Sequence, residues 1–136
     1  MDSDGLERAG GGFSATLRDW GRLARLLADD GMRDGVQVIP RDWLLEMTAQ
    51  RRHPAAFAPR KATPYFGYGY QTWTFPTEKR RFALLGVYGQ SIFVDPELRL
   101  ALVITAAAHN ASVGKESLAA ERNALRRGLV ELYGKW

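Results

Sequence analysis

The sequence predicts an α+β fold, in which an antiparallel β-sheet is flanked by helices on both faces. Two segments with helical periodicity come first, strand-like segments follow, and a further helical segment closes the chain. Residues 100–107 are apolar at nearly every position, so helices should cover both faces of that strand. The length of 136 residues suits one domain, because a chain of this size can bury a single hydrophobic core.

Helices are predicted over 16–30, 40–48 and 115–133. In the first segment, apolar residues recur at three- and four-residue steps, and the basic residues lie off that stripe. Thr16 and Asp19 resemble a capping box at its start, and Gly31 suits the left-handed C′ position after its end. Pro40 suits the first turn of the second helix.

Strands are predicted over 66–75, 82–88, 91–94 and 100–107. Asp95 followed by Pro96 is typical of a type I turn, which would join the last two strands as a hairpin. The segment 48–64 contains three prolines and is predicted to be a long surface loop. Residues 1–13 contain three successive glycines and are predicted to be a flexible tail, which leaves 14–136 as the domain.

Composition excludes several classes of site. The chain has no cysteine, so it has no disulfide framework, no thiolate metal site and no cysteine nucleophile. Its two histidines, His53 and His109, lie far apart and show no metal-ligand spacing. We therefore expect no metal and no cofactor. No apolar run approaches the length of a membrane span and no secretory signal is visible, so a cytoplasmic location without membrane contact is the default expectation.

The basic residues are concentrated between residues 51 and 81, where seven cations accompany one carboxylate. They form three short clusters beside turn-forming residues: Arg51 and Arg52; Arg60 and Lys61; Lys79, Arg80 and Arg81. Solvated loop charge explains this arrangement more simply than a polyanion-binding patch does. A nucleic-acid-binding protein more often carries a basic helix face or stacking aromatics between its cations, so nucleic acid is not the favoured partner.

Four segments resemble, in the same order, motifs of one enzyme family. Residues 11–23 (GGFSATLRDWGRL) are similar to a GGxxxTxxDxxRF helix start, and residues 31–43 carry glycine, Val-Ile-Pro and tryptophan at matching places. Residues 68–73 (YGYQTW) resemble a YGYGWW strand, and residues 86–96 (GVYGQSIFVDP) resemble a GxxGQxxxVDP stretch. The family is that of the serine β-lactamase-like and penicillin-binding-protein-like hydrolases, and the branch that the chain resembles contains esterases and 6-aminohexanoate-oligomer hydrolases.

This resemblance implies the C-terminal part of a β-lactamase-like fold and a serine enzyme that forms an acyl-enzyme. In the family, a Ser-x-x-Lys pair and a Tyr-x-Asn element lie in the N-terminal half, which has no counterpart here. The family's third motif, Lys-Thr-Gly or His-x-Gly, would fall at residues 84–86, where two of the three residues are apolar. By position, the Val87 N–H would be the strand's oxyanion donor and Gly86 would allow close backbone approach. The residues that would border the acyl pocket are Tyr88, Gly89 and Gln90.

Residue types alone leave a simpler interpretation of residues 86–90 open, because glycine in a strand can mark a bulge or a strand end that binds nothing. A literal Ser-x-x-Lys match, Ser112 to Lys115, follows the strands instead of preceding them. It also contains Gly114, which is unfavourable in a buried helix. Ser112 is therefore better explained as a polar residue at the start of a helix.

We expect a C-terminal portion of a β-lactamase-related serine hydrolase that is inactive by itself. An ester, an amide or a β-lactam would be its substrate only after an N-terminal half completes the site. The alternative is a non-catalytic binding or self-assembling domain on the same scaffold, because a partial fold leaves strand edges bare and favours homo-oligomers. A basic nucleic-acid-binding module is the third and least favoured hypothesis.

Overall fold

In a computed structural model of the chain, residues 4–6, 12–111 and 117–133 are described. They form three α-helices: α1 (Leu17–Ala28), α2 (Arg41–Thr48) and α3 (Ser117–Tyr133). They also form seven strands: β1 (Met32–Arg33), β2 (Val36–Gln37), β3 (Gly67–Gly69), β4 (Thr72–Thr74), β5 (Phe82–Leu85), β6 (Ser91–Asp95) and β7 (Leu100–Ile104). Two short 3-10 helices span Gln50–Arg52 and Ala55–Phe57.

Strands β3 to β7 make one antiparallel sheet, in which the order in space is the same as the order along the chain. Strand β6 is buried at all five positions, because β5 and β7 pair with its two edges and apolar clusters cover its faces. Strand β7 is partly exposed throughout, and among the described strands it pairs with β6 alone. Strands β1 and β2 form a separate two-stranded ribbon.

Helices cover both faces of the sheet, as predicted. Because successive side chains of a strand point to opposite faces, Phe82 and Ile92 pack with buried residues of α1 and α2. Ala83 and Phe93 instead pack with Val130 of α3. Strand β7 contributes apolar residues to both clusters, which explains why its sequence lacks polar alternation. The predicted α+β fold class is therefore confirmed.

Helix α1 begins and ends with local hydrogen bonds that its sequence encodes. At its start, the Thr16 hydroxyl accepts the Asp19 N–H at 3.2 Å and donates to the Asp19 carboxylate at 2.7 Å. At its end, Asp30 and Gly31 both have left-handed angles, with φ of 52° and 78°; because Asp29 is the C-cap, Asp30 takes the C′ position and Gly31 follows it. The Gly31 N–H closes the last turn by donating to the Leu26 carbonyl at 2.8 Å.

The predicted single strand over 66–75 is wrong, because two short strands, β3 and β4, occupy this segment as a hairpin. Tyr70 and Gln71 form its tip, and both have left-handed backbone angles, with φ of 51° and 60°. Two successive left-handed residues are typical of the tight turns that suit the twist of paired strands. The turn was missed because neither tip residue is a glycine or an asparagine.

Two further predicted strands change their bounds at the loop between them. The segment predicted over 82–88 ends at Leu85, because residues 86–90 form the turn to the next strand. The segment predicted over 91–94 extends by one residue to Asp95, which still pairs with the neighbouring strand. The first bound changes because the pairing of β5 with β6 stops at Leu85. The second changes because the pairing of β6 with β7 begins at Asp95.

The last predicted strand, over 100–107, ends early at Ile104. Ile104 pairs with Ser91, the first residue of β6, so no partner remains for the residues that follow. The predicted hairpin between β6 and β7 is confirmed. A hydrogen bond from the Arg99 N–H to the Pro96 carbonyl, at 3.2 Å, closes its turn.

The remaining differences concern short elements. The second helix starts at Arg41 and not at Pro40, which is its N-cap residue. Residues 115 and 116 of the third predicted helix lie outside the described residues. The loop predicted over 48–64 contains both 3-10 helices. The β1–β2 ribbon was missed, although its turn contains Asp34 and Gly35, which both have positive φ angles.

A buried ion pair joins the start of β5 to the end of β6. The Arg81 Nε donates to the Asp95 carboxylate at 2.6 Å, and the two side chains are 2% and 0% exposed. The other carboxylate oxygen of Asp95 accepts the Leu98 N–H at 3.1 Å and so holds the following turn. One carboxylate therefore connects the core ion pair to the β6–β7 hairpin.

Candidate functional site

The predicted site residues 86–90 form the turn that joins β5 to β6. The Gly86 N–H donates to the Gln90 carbonyl at 2.9 Å, and the Gly89 N–H donates back to the Gly86 carbonyl at 3.3 Å. Gly89 has φ of 93°, in the left-handed region that favours glycine. This pattern is a three-residue hairpin loop, in which a type I turn is followed by a left-handed residue.

Gln90 fastens this turn with its side chain. The Gln90 Oε1 accepts the Tyr88 N–H at 3.0 Å. The Gln90 Cδ lies 2.3 Å from the place that a Cβ would take on residue 86, so Gly86 makes room for the glutamine. The Tyr88 carbonyl accepts the Ala108 N–H at 3.0 Å, which ties the turn to the segment after β7. The glycines and the glutamine of the motif therefore act together to shape one hairpin.

The Val87 N–H takes no part in these hydrogen bonds. In the part of the chain that the structure describes, neither the hairpin nor the sheet accepts a hydrogen bond from it. Strand β4 pairs with β5 at two positions near the start of β5, so residues 84–87 have no strand partner on that edge within the described residues. Val87 is 58% exposed. At the end of β5, an exposed residue thus has a main-chain donor without a hydrogen-bond partner among the described residues.

An aromatic cluster surrounds the tip of the β3–β4 hairpin, which the β4–β5 register places at the same end of the sheet as Val87. The Tyr70 hydroxyl donates to the Glu46 carboxylate at 3.2 Å. That hydrogen bond raises the pKa of Tyr70, because an ionised phenolate would lose it and face the carboxylate. The ring centroid of Tyr70 lies 5.7 Å from that of Trp43, 5.6 Å from that of His53 and 6.0 Å from that of Phe57.

Sequence reasoning missed this cluster. The only signal for it was the similarity of residues 68–73 to a family strand, and that similarity does not reveal a left-handed tyrosine. Trp43 is about half exposed and contacts Tyr70 edge-on. Bulky residues with strained left-handed angles cluster at functional sites, because the surrounding structure must hold them in that conformation.

The other candidate residues do not join the turn. The His53 Nε2 lies 3.1 Å from the Met47 carbonyl, so this histidine helps to hold the segment after α2. His109 is exposed beyond the end of β7. Ser112 and Lys115, the literal Ser-x-x-Lys match, lie outside the described residues.

The structure shows few other features of a ligand site near residues 86–90. The linings of three cavities, of about 770, 670 and 390 Å³, do not include residues 86–90, although the third is lined by Leu85 and Ser91 on either side of the turn. Within residues 4–6, 12–111 and 117–133, no group of three histidine, aspartate or glutamate side chains is arranged to hold a metal ion. Over the same residues, every helix is too short or too polar to span a bilayer.

The chain is similar to several known proteins. The family model described as Beta-lactamase matches residues 1–126. A 6-aminohexanoate-dimer hydrolase of Paenarthrobacter ureafaciens is 30% identical over 98 residues, which cover 71% of this chain and 25% of that protein. A solved structure of a Bacillus anthracis protein, provisionally named a 6-aminohexanoate-dimer hydrolase, superposes with a TM-score of 0.74 at 23% identity.

Each match covers most of this chain but a much smaller part of the relative. The superposition covers 98% of this chain and 34% of the Bacillus anthracis protein, and it shows that the two share a fold. The chain thus spans about a quarter of the length of the curated relative and a third of that of the solved structure. The family model and the curated relative bear out the resemblance that the four sequence motifs carried. The chain belongs to the beta-lactamase family of hydrolases.

Proposed function

We propose that this chain contributes the oxyanion-binding edge of a serine hydrolase that cleaves esters, amides or β-lactams through an acyl-enzyme. In this proposal, a segment with Ser-x-x-Lys and Tyr-x-Asn elements supplies the nucleophile and its bases, and this chain alone is inactive. The proposal rests on Val87, an exposed residue at the end of a sheet strand in a chain of this family, whose N–H has no hydrogen-bond partner among the described residues.

The chemistry needs such a donor because charge develops on the carbonyl oxygen as the serine attacks. Main-chain N–H groups that already point at the developing oxyanion stabilise it without reorganising at the moment of reaction. The hairpin supports this role, since Gly86, Gly89 and Gln90 fix the turn through bonds that leave the Val87 N–H unused. Tyr88 is exposed beside it and would contact the acyl group.

The curated relative is named for the 6-aminohexanoate dimer, so this dimer is the first substrate to test. The part of that relative outside the matched region would be produced separately and mixed with this chain. Chromogenic esters and β-lactams would extend the substrate range. We expect hydrolysis by the mixture and none by this chain alone.

The decisive variant is Val87→Pro, which removes the N–H donor. Val87 occupies the first corner of a type I turn, where proline is favoured, so the hairpin should survive. We expect kcat of the mixture to fall about 10²- to 10³-fold, as for the loss of one oxyanion donor. The matched control, Val87→Ala, keeps the N–H and should change kcat only slightly.

Two outcomes would contradict the proposal. Equal kcat values for Val87→Pro and Val87→Ala would show that the donor is not used, provided that both variants unfold at the same temperature. Hydrolysis by this chain alone, with fluorophosphonate labelling that disappears in Ser112→Ala, would assign the nucleophile to Ser112 instead.

The second candidate function is self-assembly, which one feature favours. Strand β7 carries five successive apolar residues and pairs on one edge only among the described strands. An open apolar edge can pair with the same edge of a second copy. Sedimentation over a range of concentrations tests this: a dimer supports assembly through β7, and a monomer at every concentration argues against it.

A further inference from the structure

The three basic clusters, which are separated along the sequence, meet around one cavity of about 670 Å³. Its volume lies within the range of small-ligand sites. The cavity lies between the segment after α2 and the β4–β5 connection. Its charged lining residues are the cations Arg51, Arg60, Lys79, Arg80 and Arg81 and the carboxylates Glu78 and Glu97. The clusters were predicted to be separate solvated loops, and the fold instead gathers five cations against two carboxylates.

Two of these arginines are committed to the fold. Arg81 forms the buried ion pair with Asp95. Arg80 pairs with the Asp30 carboxylate and donates to the Thr48 hydroxyl at 3.0 Å. Arg80 and Arg81 line the cavity, but these aspartates largely balance their charges. Neither arginine therefore needs a ligand.

Arg51 and Arg60 differ from them. Both line the cavity and are exposed, and neither makes a hydrogen bond or an ion pair in the described part of the chain. Arg60 has φ of 63°, a left-handed angle that costs free energy for a residue with a side chain. Arg60 therefore combines a strained backbone angle with a guanidinium that lines the cavity and has no partner among the described residues.

We propose that this cavity binds a small polyanion that carries at least two phosphate groups. The guanidinium groups of Arg51 and Arg60 would each hold phosphate oxygens, for which their planar donor geometry is suited. The site lies at the opposite end of β5 from Val87, about 20 Å away at the rise of an extended strand. It is therefore separate from the proposed hydrolase site.

Inorganic tripolyphosphate is the probe, titrated calorimetrically into the full chain at low and at moderate ionic strength. We expect saturable binding with one ligand per chain. The double variant Arg51→Gln/Arg60→Gln should weaken it by at least about tenfold, because two charge-assisted contacts are lost. The matched control Arg52→Gln/Lys61→Gln removes the same charge from neighbouring residues that do not line the cavity, and it should bind almost as the parent does.

Absence of binding at low ionic strength, or equal weakening in both double variants, would overturn the proposal. So would tighter binding of an oligonucleotide with a steep salt dependence that both double variants reduce, because that pattern indicates a nucleic-acid surface.

Discussion

The substitution Asp95→Asn tests how far the fold depends on its one buried ion pair among the described residues. The Asp95 carboxylate accepts two hydrogen bonds, from Arg81 and from the Leu98 N–H. An asparagine of the same shape has one oxygen and one NH₂ group, so one of these donors would face another donor. The charge of Arg81, which is 2% exposed, would also lose its counterion.

Removing one partner of a buried ion pair costs about 3–5 kcal/mol, because the remaining charge stays buried after its ionic partner is lost. Domains of this kind are stable by only about 5–15 kcal/mol, so the loss is a large share of the total. The expected fall in Tm is roughly 10–20 °C for a chain of this length.

Urea unfolding followed by tryptophan fluorescence measures the free energy directly, and an unchanged m-value would show that the loss is one of stability. The control is Asp34→Asn, the same chemical change at a carboxylate that is 88% exposed and pairs with Arg33. Surface pairs contribute about 0–1 kcal/mol, so this variant should unfold almost as the parent does. A loss below about 1 kcal/mol for Asp95→Asn would refute the assignment of the pair as a core interaction.

Two further predictions concern backbone angles and pH. Gly31→Ala should lower the free energy of unfolding by more than Gly35→Ala, because both have positive φ but only at Gly31 would a Cβ lie 2.4 Å from a main-chain oxygen, that of Ile39. Equal losses in thermal unfolding would contradict this reason. The hydrogen bond to Glu46 raises the pKa of Tyr70 in the folded chain, so its contribution is fully present below the unfolded pKa of about 10 and is lost as pH rises through the folded value. The stability difference between the parent and Tyr70→Phe should therefore shrink at alkaline pH, and a constant difference would count against it.

The fold class could be predicted because local patterns and tertiary packing agree. Helix α1 carries a cap at Thr16 and an apolar stripe that packs on the sheet. The apolar run over residues 100–107, which contains β7, predicted helices on both faces, and apolar clusters cover both. Prediction was wrong where the backbone adopts unusual angles without a glycine, as at Tyr70 and Gln71.

The candidate site was predictable only in part, for a physical reason. Gly86, Gly89 and Gln90 are close in sequence, and their shared turn follows from local hydrogen bonds. The cavity beside Arg51 and Arg60 depends on contacts between distant segments, which no local pattern encodes. The residues that line this cavity come together only when the chain folds and β4 pairs with β5.

The meander order of the sheet has a consequence for how the chain finds its structure. Each strand from β3 to β7 needs only a short loop closure to meet the preceding one, so the sheet can condense from successive hairpins. Helix α1 docks on strands much further along, as the hydrogen bond between Asp29 and Arg99, 70 positions apart, illustrates. The hairpins of the sheet should therefore form early in folding. The N-terminal helix should dock on the sheet late.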